Sequence, residues 1–309
     1  LPEINEPEML TRVTKELQAV TPLPLQLDTS DAAALEAAMR IYNGKPMVNS
    51  VNGKEESMAK VFPLVKKYGG FVVALTLDEN GIPESAEGRL EVARKILRRA
   101  KDFGLREKDL IFDPLAMSVS ADANSATVTT KALRLIKTEL GCNTILGVSN
   151  ISFGLPKRDK VNSTFFTLAL ESGLSAAIMN PHSEEMMNSY HTFKMLRGFD
   201  TGCAEYIKFA TSSEDGGKEN LQNDPSDSPL RFSIIKGLLK ESSSITEELL
   251  KTKEALTVIN EEIIPALDFV GRGFESGRIY LPGLLMSAEA AKSAFEVIRK
   301  KMPKNSTRD

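Results

Sequence analysis

Asp28, Asn49, Asp113 and Asn150 each stand at or beside the end of a short apolar run. The runs are Gln26-Leu27-Asp28-Thr29-Ser30, Pro46-Met47-Val48-Asn49-Ser50, Leu110-Ile111-Phe112-Asp113-Pro114 and Gly147-Val148-Ser149-Asn150-Ile151-Ser152. A carboxylate anchored at such a place accepts from a pair of N–H groups, such as an amino-pyrimidine-like ring edge presents. A primary amide both donates and accepts, so it reads a heteroaromatic edge without adding charge. Two acids and two amides together suit a flat, nitrogen-rich ligand. Pro114 keeps Asp113 out of the helical region. Both acids also have a plainer reading as loop residues that cap the next helix.

Convergence of these side chains needs a scaffold that gathers strand ends. Runs at Leu23–Leu27, Met47–Val51, Phe71–Leu77, Leu110–Phe112, Thr144–Val148 and Ala176–Met179 read as strands. Amphipathic stretches lie between them, such as Glu87 to Phe103 with Leu90, Val92, Ala93, Ile96, Leu97 and Ala100 at helical spacing. Strands alternating with helices imply βαβ units and a parallel sheet, hence the α/β class. In a (β/α)8 barrel the carboxyl ends of all strands meet on one face, where four polar endings can address one ligand. A doubly wound sheet would advertise a Gly-rich phosphate turn, and no G-x-G-x-x-G occurs. Only six strands are visible and the chain opens on a helical pattern, Glu6 to Val20, so the first two barrel strands are expected to be missing.

The 309 residues, 41% hydrophobic, suffice for a large barrel or two domains. A net charge of -3 argues against a nucleic-acid partner, whose phosphates would call for massed Lys and Arg. Cys142 and Cys203 lack the companions that zinc ligation requires and are expected as reduced thiols, so no metal site is assigned. No apolar run approaches about 18 residues, and a soluble, cytoplasmic protein without a membrane partner is expected.

From 211 to 228 the composition turns polar and reads as a flexible linker. The expected domains are therefore 1–210, the linker 211–228, and 229–309. Within the last, Leu230–Lys240, Thr246–Lys253, Glu254–Phe274 and Pro282–Lys301 show helical periodicity, a small four-helix bundle. In the last helix Ser287, Glu289, Lys292 and Glu296 mark the wet side, and Leu284, Leu285, Ala288, Ala291, Ala294, Phe295 and Ile298 face a core. Gly271, Gly273 and Gly277 suit close contacts and a helix stop.

Taken in order, Leu27-Asp28-Thr29, Met47-Val48-Asn49-Ser50, Phe112-Asp113-Pro114-Leu115, Leu146 to Ser152 and Ala176-Ala177-Ile178-Met179-Asn180 resemble the pterin-binding domains of the cobalamin-dependent methionine synthases. They are similar as well to the methyltetrahydrofolate:corrinoid methyltransferases and, more remotely, to dihydropteroate synthases. The resemblance covers about residues 5 to 200, and its most specific segments end at Asn49 and Asn150. It implies that Asp28, Asn49 and Asp113 hydrogen-bond a pterin ring, while Asn150 lies near the nitrogen that bears the methyl group. A tertiary amine leaves poorly, so hydrogen bonding or protonation there must accompany methyl transfer. Asn150 and Asp113 are the expected catalytic residues, with a water held by Asp113 completing the proton path. Arg158 matches a loop position that meets the folate tail; a solvated basic loop is the alternative.

The run Glu261 to Gly277, followed by Ile279-Tyr280-Leu281-Pro282-Gly283-Leu284-Leu285-Met286-Ser287-Ala288, resembles the helical cap of methylcobalamin-binding modules. The resemblance implies that Tyr280, Leu281 and Leu285 cover a corrin face; Tyr280 packed within the bundle is the alternative. The Asp-x-His-x-x-Gly motif of the corrinoid-binding Rossmann domain does not occur, since His182 and His191 stand in other contexts. Cobalamin as cofactor, 5-methyltetrahydrofolate as substrate, and a corrinoid-binding domain and a zinc-bearing homocysteine domain as partners are the resulting expectations, for a segment of a larger enzyme. The implied reaction is methyl transfer from 5-methyltetrahydrofolate to cob(I)alamin within methionine synthesis. The alternatives are transfer from a methylated amine and a non-catalytic docking module.

Overall fold

The computed structural model describes residues 5–212 and 228–301. The chain forms two compact units, residues 1–193 and 194–309. The first alternates α1 (Glu6–Val20), β1 (Gln26–Asp28), α2 (Ala32–Ile41), β2 (Met47–Asn52), α3 (Glu55–Tyr68), β3 (Phe71–Leu75), α4 (Ala86–Asp102), β4 (Leu110–Asp113), α5 (Ser125–Leu135), β5 (Asn143–Gly147), α6 (Arg158–Glu171), β6 (Ala176–Ile178) and α7 (Glu184–Leu196). The six strands are all parallel and lie in chain order, β1 to β6. This is the α/β alternation that the sequence implied.

Side chains alternate between the two faces of the sheet. Val48, Val72, Ala74, Leu110 and Phe112 face the helices and share one core with Leu35, Phe62, Ala93 and Ile96. Burying a side chain of Phe112's size contributes about 2–3 kcal/mol. The other face carries Val73, Ile111 and Ile145, packed with Met47, Leu75 and Ala176. Helix starts are fixed by short polar caps: Asp31 Oδ1 accepts from the Ala33 N–H at 2.8 Å, and Ser85 Oγ from the Gly88 N–H at 3.1 Å.

Several strand bounds differ from the sequence reading. β1 begins only at Gln26, because Pro22 and Pro24 cannot donate to a ladder, and Leu23 is exposed. β2 runs on to Asn52 through a register shift between Asn49 and Val51, so Asn49 lies within the strand. β3 stops at Leu75. Val148 has left β5 and opens a 3-10 turn, Val148–Ser152, so Asn150 sits on that turn and ends no strand.

The second unit contains α8 (Ala204–Ser212), α9 (Pro229–Ile235), α10 (Leu239–Leu249), α11 (Ala255–Val258), α12 (Ile264–Glu275) and α13 (Leu281–Lys301). The stretch read as a linker, 211–228, falls outside the described residues from 213 to 227. Leu230, Ile234, Val258, Ile263, Ala266, Ala291, Ala294 and Ile298 form the core. The helices break differently from the expected pattern. Gly237, at φ +68°, closes α9: its N–H donates to the Ile234 carbonyl at 3.0 Å and the Leu238 N–H to Ser233 at 2.8 Å. The expected helix from 254 to 274 forms as one continuous helical stretch, Ala255 to Glu275, that widens into a π turn at Ile259–Ile263. Pro265 cannot bond back to the Glu261 carbonyl, which instead accepts from Arg231 Nε at 2.9 Å.

The wet face assigned to α13 is corrected at Ser287. It is buried, and its hydroxyl donates to the Ile235 carbonyl at 3.1 Å. The buried stripe is Ser287, Ala290, Ala291, Ala294, Val297 and Ile298, whereas Leu285, Ala288 and Phe295, expected in the core, are exposed. Small residues let the neighbouring helices approach, so the bulky ones face away. Among the described residues no helix is long and apolar enough to cross a membrane.

Candidate functional site

Three of the expected ligand-reading residues share one face of the sheet. Asp28 is the direct register partner of Asn49, and Leu75 that of Asp113. Strand alternation sets Asn49 two residues beyond Met47 and Asp113 two beyond Ile111, so both lie on the face that carries Val73 and Ile145. The Asn49 amide donates from Nδ2 to Asp28 Oδ2 at 3.1 Å, and the Thr29 N–H donates to the Asn49 carbonyl at 3.1 Å. A concavity of about 360 Å³ opens at the ends of β1 and β2, bordered by Asp28, Thr29, Asn49, Ser50, Asn52 and Lys54. Asn52, which the sequence reading passed over, is the register partner of Leu75.

Asp113 is buried, with 8% of its surface exposed. Its Oδ1 accepts the Leu115 N–H at 2.7 Å. Burial pushes its carboxyl up to about 6, while the Leu115 N–H, the Arg89 charge and the Gly147 backbone act in the opposite sense. The group is therefore poised to be ionised at neutral pH yet able to hold a proton slightly below it.

Asn150 is exposed on the turn after β5, and its amide lies back over Gly147: a Cβ there would meet Asn150 Nδ2 at 3.1 Å. The turn is tied from two sides. Arg158, in the first turn of α6, donates from Nε to Ser152 Oγ at 2.9 Å and from Nη2 to the Ser149 carbonyl at 2.8 Å. Ser118 Oγ and Ser120 Oγ both donate to the Phe153 carbonyl, at 2.6 and 2.9 Å. Two of the three Arg158 nitrogens thus serve the turn that bears Asn150.

Arg89 was also missed. It is 2% exposed and donates from Nε to the Pro83 carbonyl at 3.0 Å and from Nη1 to the carbonyls of Pro114, at 2.9 Å, and Leu115, at 2.7 Å. Burial lowers its pKa, and Asp122 and Asp113 oppose that shift. Arg89 precedes Ala93, Ile96 and Ala100 by four, seven and eleven positions. That spacing puts it on the buried stripe of α4, the signal that could have found it.

In the second unit Tyr280, Leu281 and Leu285 are all exposed, at 43%, 54% and 56%, at the start of α13. None belongs to the bundle core. Cys142 and Cys203 are free thiols, and among the described residues no cluster of His, Cys, Asp and Glu could hold a metal.

Residues 2–180 match the family described as pterin binding enzyme, and residues 229–299 match a B12 binding domain. The chain is 29% identical to methionine synthase from Mycobacterium tuberculosis over 95% of its own length and 27% of that protein's. It is 32% identical to the methylcorrinoid:tetrahydrofolate methyltransferase of Eubacterium limosum, over 67% of this chain and 77% of that one. The chain thus spans about a quarter of the methionine synthases it matches, those of M. tuberculosis and M. leprae at 27% and 26%. Among solved structures, dihydropteroate synthase from Clostridium difficile superposes with a TM-score of 0.52 at 20% identity, over 62% of this chain and 76% of that one, which shows a shared barrel fold. The family match over residues 2–180, on the unit that carries the curled parallel sheet, makes the chain a member of the pterin-binding enzymes, and the match over 229–299 adds a B12-binding domain in the helical unit that follows.

Proposed function

We propose that this chain binds 5-methyltetrahydrofolate on its first unit and passes the methyl group to a corrinoid, as the folate half of methionine synthesis. The observation that carries the reading is the placing of Asp28, Asn49 and Asp113 on one face of the sheet. Carboxylates accept from the amino and ring N–H groups of a pterin, and the Asn49 amide supplies both donor and acceptor. Asn150, steadied by Arg158 through Ser149 and Ser152, offers a neutral amide to the nitrogen that loses its methyl group. An amide has no proton to give at neutral pH. The Asp113 carboxylate, ionised at neutral pH, holds a bridging water that relays a proton from solvent to that nitrogen as the carbon–nitrogen bond breaks. The leaving nitrogen ends protonated, and the methyl group ends on the acceptor.

The reduced corrinoid supplies the nucleophile that accepts the methyl group. Tyr280, Leu281 and Leu285 suit its apolar face, being exposed and adjacent at the start of α13. A corrinoid-holding Rossmann domain and a zinc-bearing homocysteine domain would complete the cycle as partners, in a longer chain or as separate proteins. The relative named methylcorrinoid:tetrahydrofolate methyltransferase supports a second reading, in which the methyl group travels the other way. The same groups serve either direction.

Calorimetric titration with 5-methyltetrahydrofolate tests the reading, with Asp113→Asn and Asn150→Ala as controls. Binding to the wild type that Asp113→Asn abolishes is expected; no binding to the wild type would sink the folate assignment. Visible absorbance of supplied cob(I)alamin then reports methyl transfer, and mixing methylcob(III)alamin with tetrahydrofolate reports its reverse.

A further inference from the structure

We infer that Arg89 is a positioning residue for pterin recognition: a buried guanidinium that locks the Asp113-Pro114-Leu115 turn and so aims the Asp113 carboxylate at the ring. The inference rests on the reading above that Asp113 meets the pterin. Arg89 joins three elements that are separate in sequence. Besides the carbonyls of Pro83, Pro114 and Leu115, its Nη1 donates to Thr129 Oγ1 at 3.1 Å, and the Thr129 hydroxyl donates in turn to the Leu115 carbonyl at 3.0 Å. Among the described residues its hydrogen-bond partners are thus carbonyls and a hydroxyl. A charge buried in this way is expensive, and an apolar side chain on the same stripe of α4 would avoid the cost.

What the guanidinium secures is the conformation of Leu115. Leu115 sits at φ +66°, which a leucine rarely adopts. Its carbonyl is held by Arg89 and Thr129, and its N–H by Asp113 Oδ1 at 2.7 Å. Both polar groups of that residue are therefore engaged, one from below the turn and one from the site. Releasing the carbonyl would free the residue to leave the left-handed region, and the Asp113 carboxylate would lose the contact that fixes its rotation. Lysine cannot replace this, because a point charge lacks the planar fork that spans several carbonyls. The charges around the turn are Asp113, Asp122 and Arg89 itself, and Arg89 favours the ionised form of Asp113.

The test is titration of the whole chain with 5-methyltetrahydrofolate from about pH 5 to 9, for wild type, Arg89→Lys, Arg89→Gln and Thr129→Val. Arg89→Lys should weaken binding roughly tenfold on the alkaline plateau and leave the acid limb in place, since the charge remains. Arg89→Gln should also move the acid limb upward by about half a pH unit or more, because losing the cation raises the Asp113 pKa. Thr129→Val, which keeps the guanidinium, should weaken binding roughly threefold. Binding by Arg89→Lys within about twofold of wild type overturns the inference. If neither Arg89 variant folds, Thr129→Val decides, and unchanged affinity overturns it. Should the wild type bind no folate, the functional reading falls by itself. Hydrogen exchange at the Leu115 amide then judges the turn, with exchange roughly tenfold faster expected in Arg89→Lys or Thr129→Val and unchanged exchange counting against the inference.

Discussion

The Asn49 amide donates to Asp28 Oδ2 across 3.1 Å, between residues paired directly in register on β2 and β1. The bond leaves the Asn49 side-chain oxygen free to accept and fixes which edge of the amide faces a ligand. Recognition by the two residues is therefore coupled. Asp28→Asn and Asn49→Ala should each weaken 5-methyltetrahydrofolate binding by roughly 1–2 kcal/mol, while the double variant loses less than the sum by about 0.5–1 kcal/mol. A calorimetric double-mutant cycle measures this, and strict additivity would show that the two act independently.

Asp113 places recognition and stability in opposition. Its carboxyl rises to about 6 on folding from an ordinary 3.8. Between those values the folded state binds more protons than the unfolded one, so stability falls as pH rises through the interval. Above it the ionised, buried carboxylate is a standing cost. Asp113→Asn should therefore raise stability at about pH 7.5 by roughly 1–3 kcal/mol and give little gain at about pH 4, while removing folate binding. Thermal melts at the two pH values check it; a loss of stability at the higher one would mean that the hydrogen bonds to the carboxylate outweigh its burial.

Arg158 acts on the turn that bears Asn150, through Ser149 and Ser152. A residue that steadies a group needed only as the carbon–nitrogen bond breaks should affect rate more than ground-state binding. Arg158→Met is expected to lower the rate of methyl transfer roughly tenfold and to change folate affinity less than about twofold. Stopped-flow absorbance beside calorimetry separates the two. An equal loss in both would reassign Arg158 to direct contact with the folate tail.

The sequence made the strand and helix alternation legible, because Val, Ile, Leu and Phe cluster where a sheet is buried on both sides. Asp28, Asn49 and Asp113 were legible for a related reason, since polar residues interrupt those clusters. Arg89 was hidden by its charge: a helical arginine reads as solvated unless its phase on the apolar stripe is weighed against its type. Ser287 was hidden in the same way, its hydroxyl being satisfied by the Ile235 carbonyl. The π turn inside the expected helix after Glu254 goes with Pro265 and with a partner, Arg231, supplied from 30 residues away for the Glu261 carbonyl. Such long-range satisfaction of a backbone group leaves no local signature.

Gly237 and Gly277 end α9 and α12 with the same pair of closing hydrogen bonds, which makes them a matched test of what packing adds to backbone strain. Both are left-handed, at φ +68° and +73°. A Cβ at Gly277 would meet nothing within 4 Å, whereas one at Gly237 would lie 2.6 Å from Met286 Cβ and 3.1 Å from its carbonyl carbon. Gly277→Ala should cost only the left-handed penalty, about 1–2 kcal/mol. At Gly237 the obstruction is the backbone of α13, which cannot rotate aside as a side-chain tip can, so Gly237→Ala should cost about 3 kcal/mol or more. Urea unfolding of the two variants measures the difference. Equal losses would show that α13 shifts freely away from the end of α9, which the buried Ser287 bond to the Ile235 carbonyl argues against.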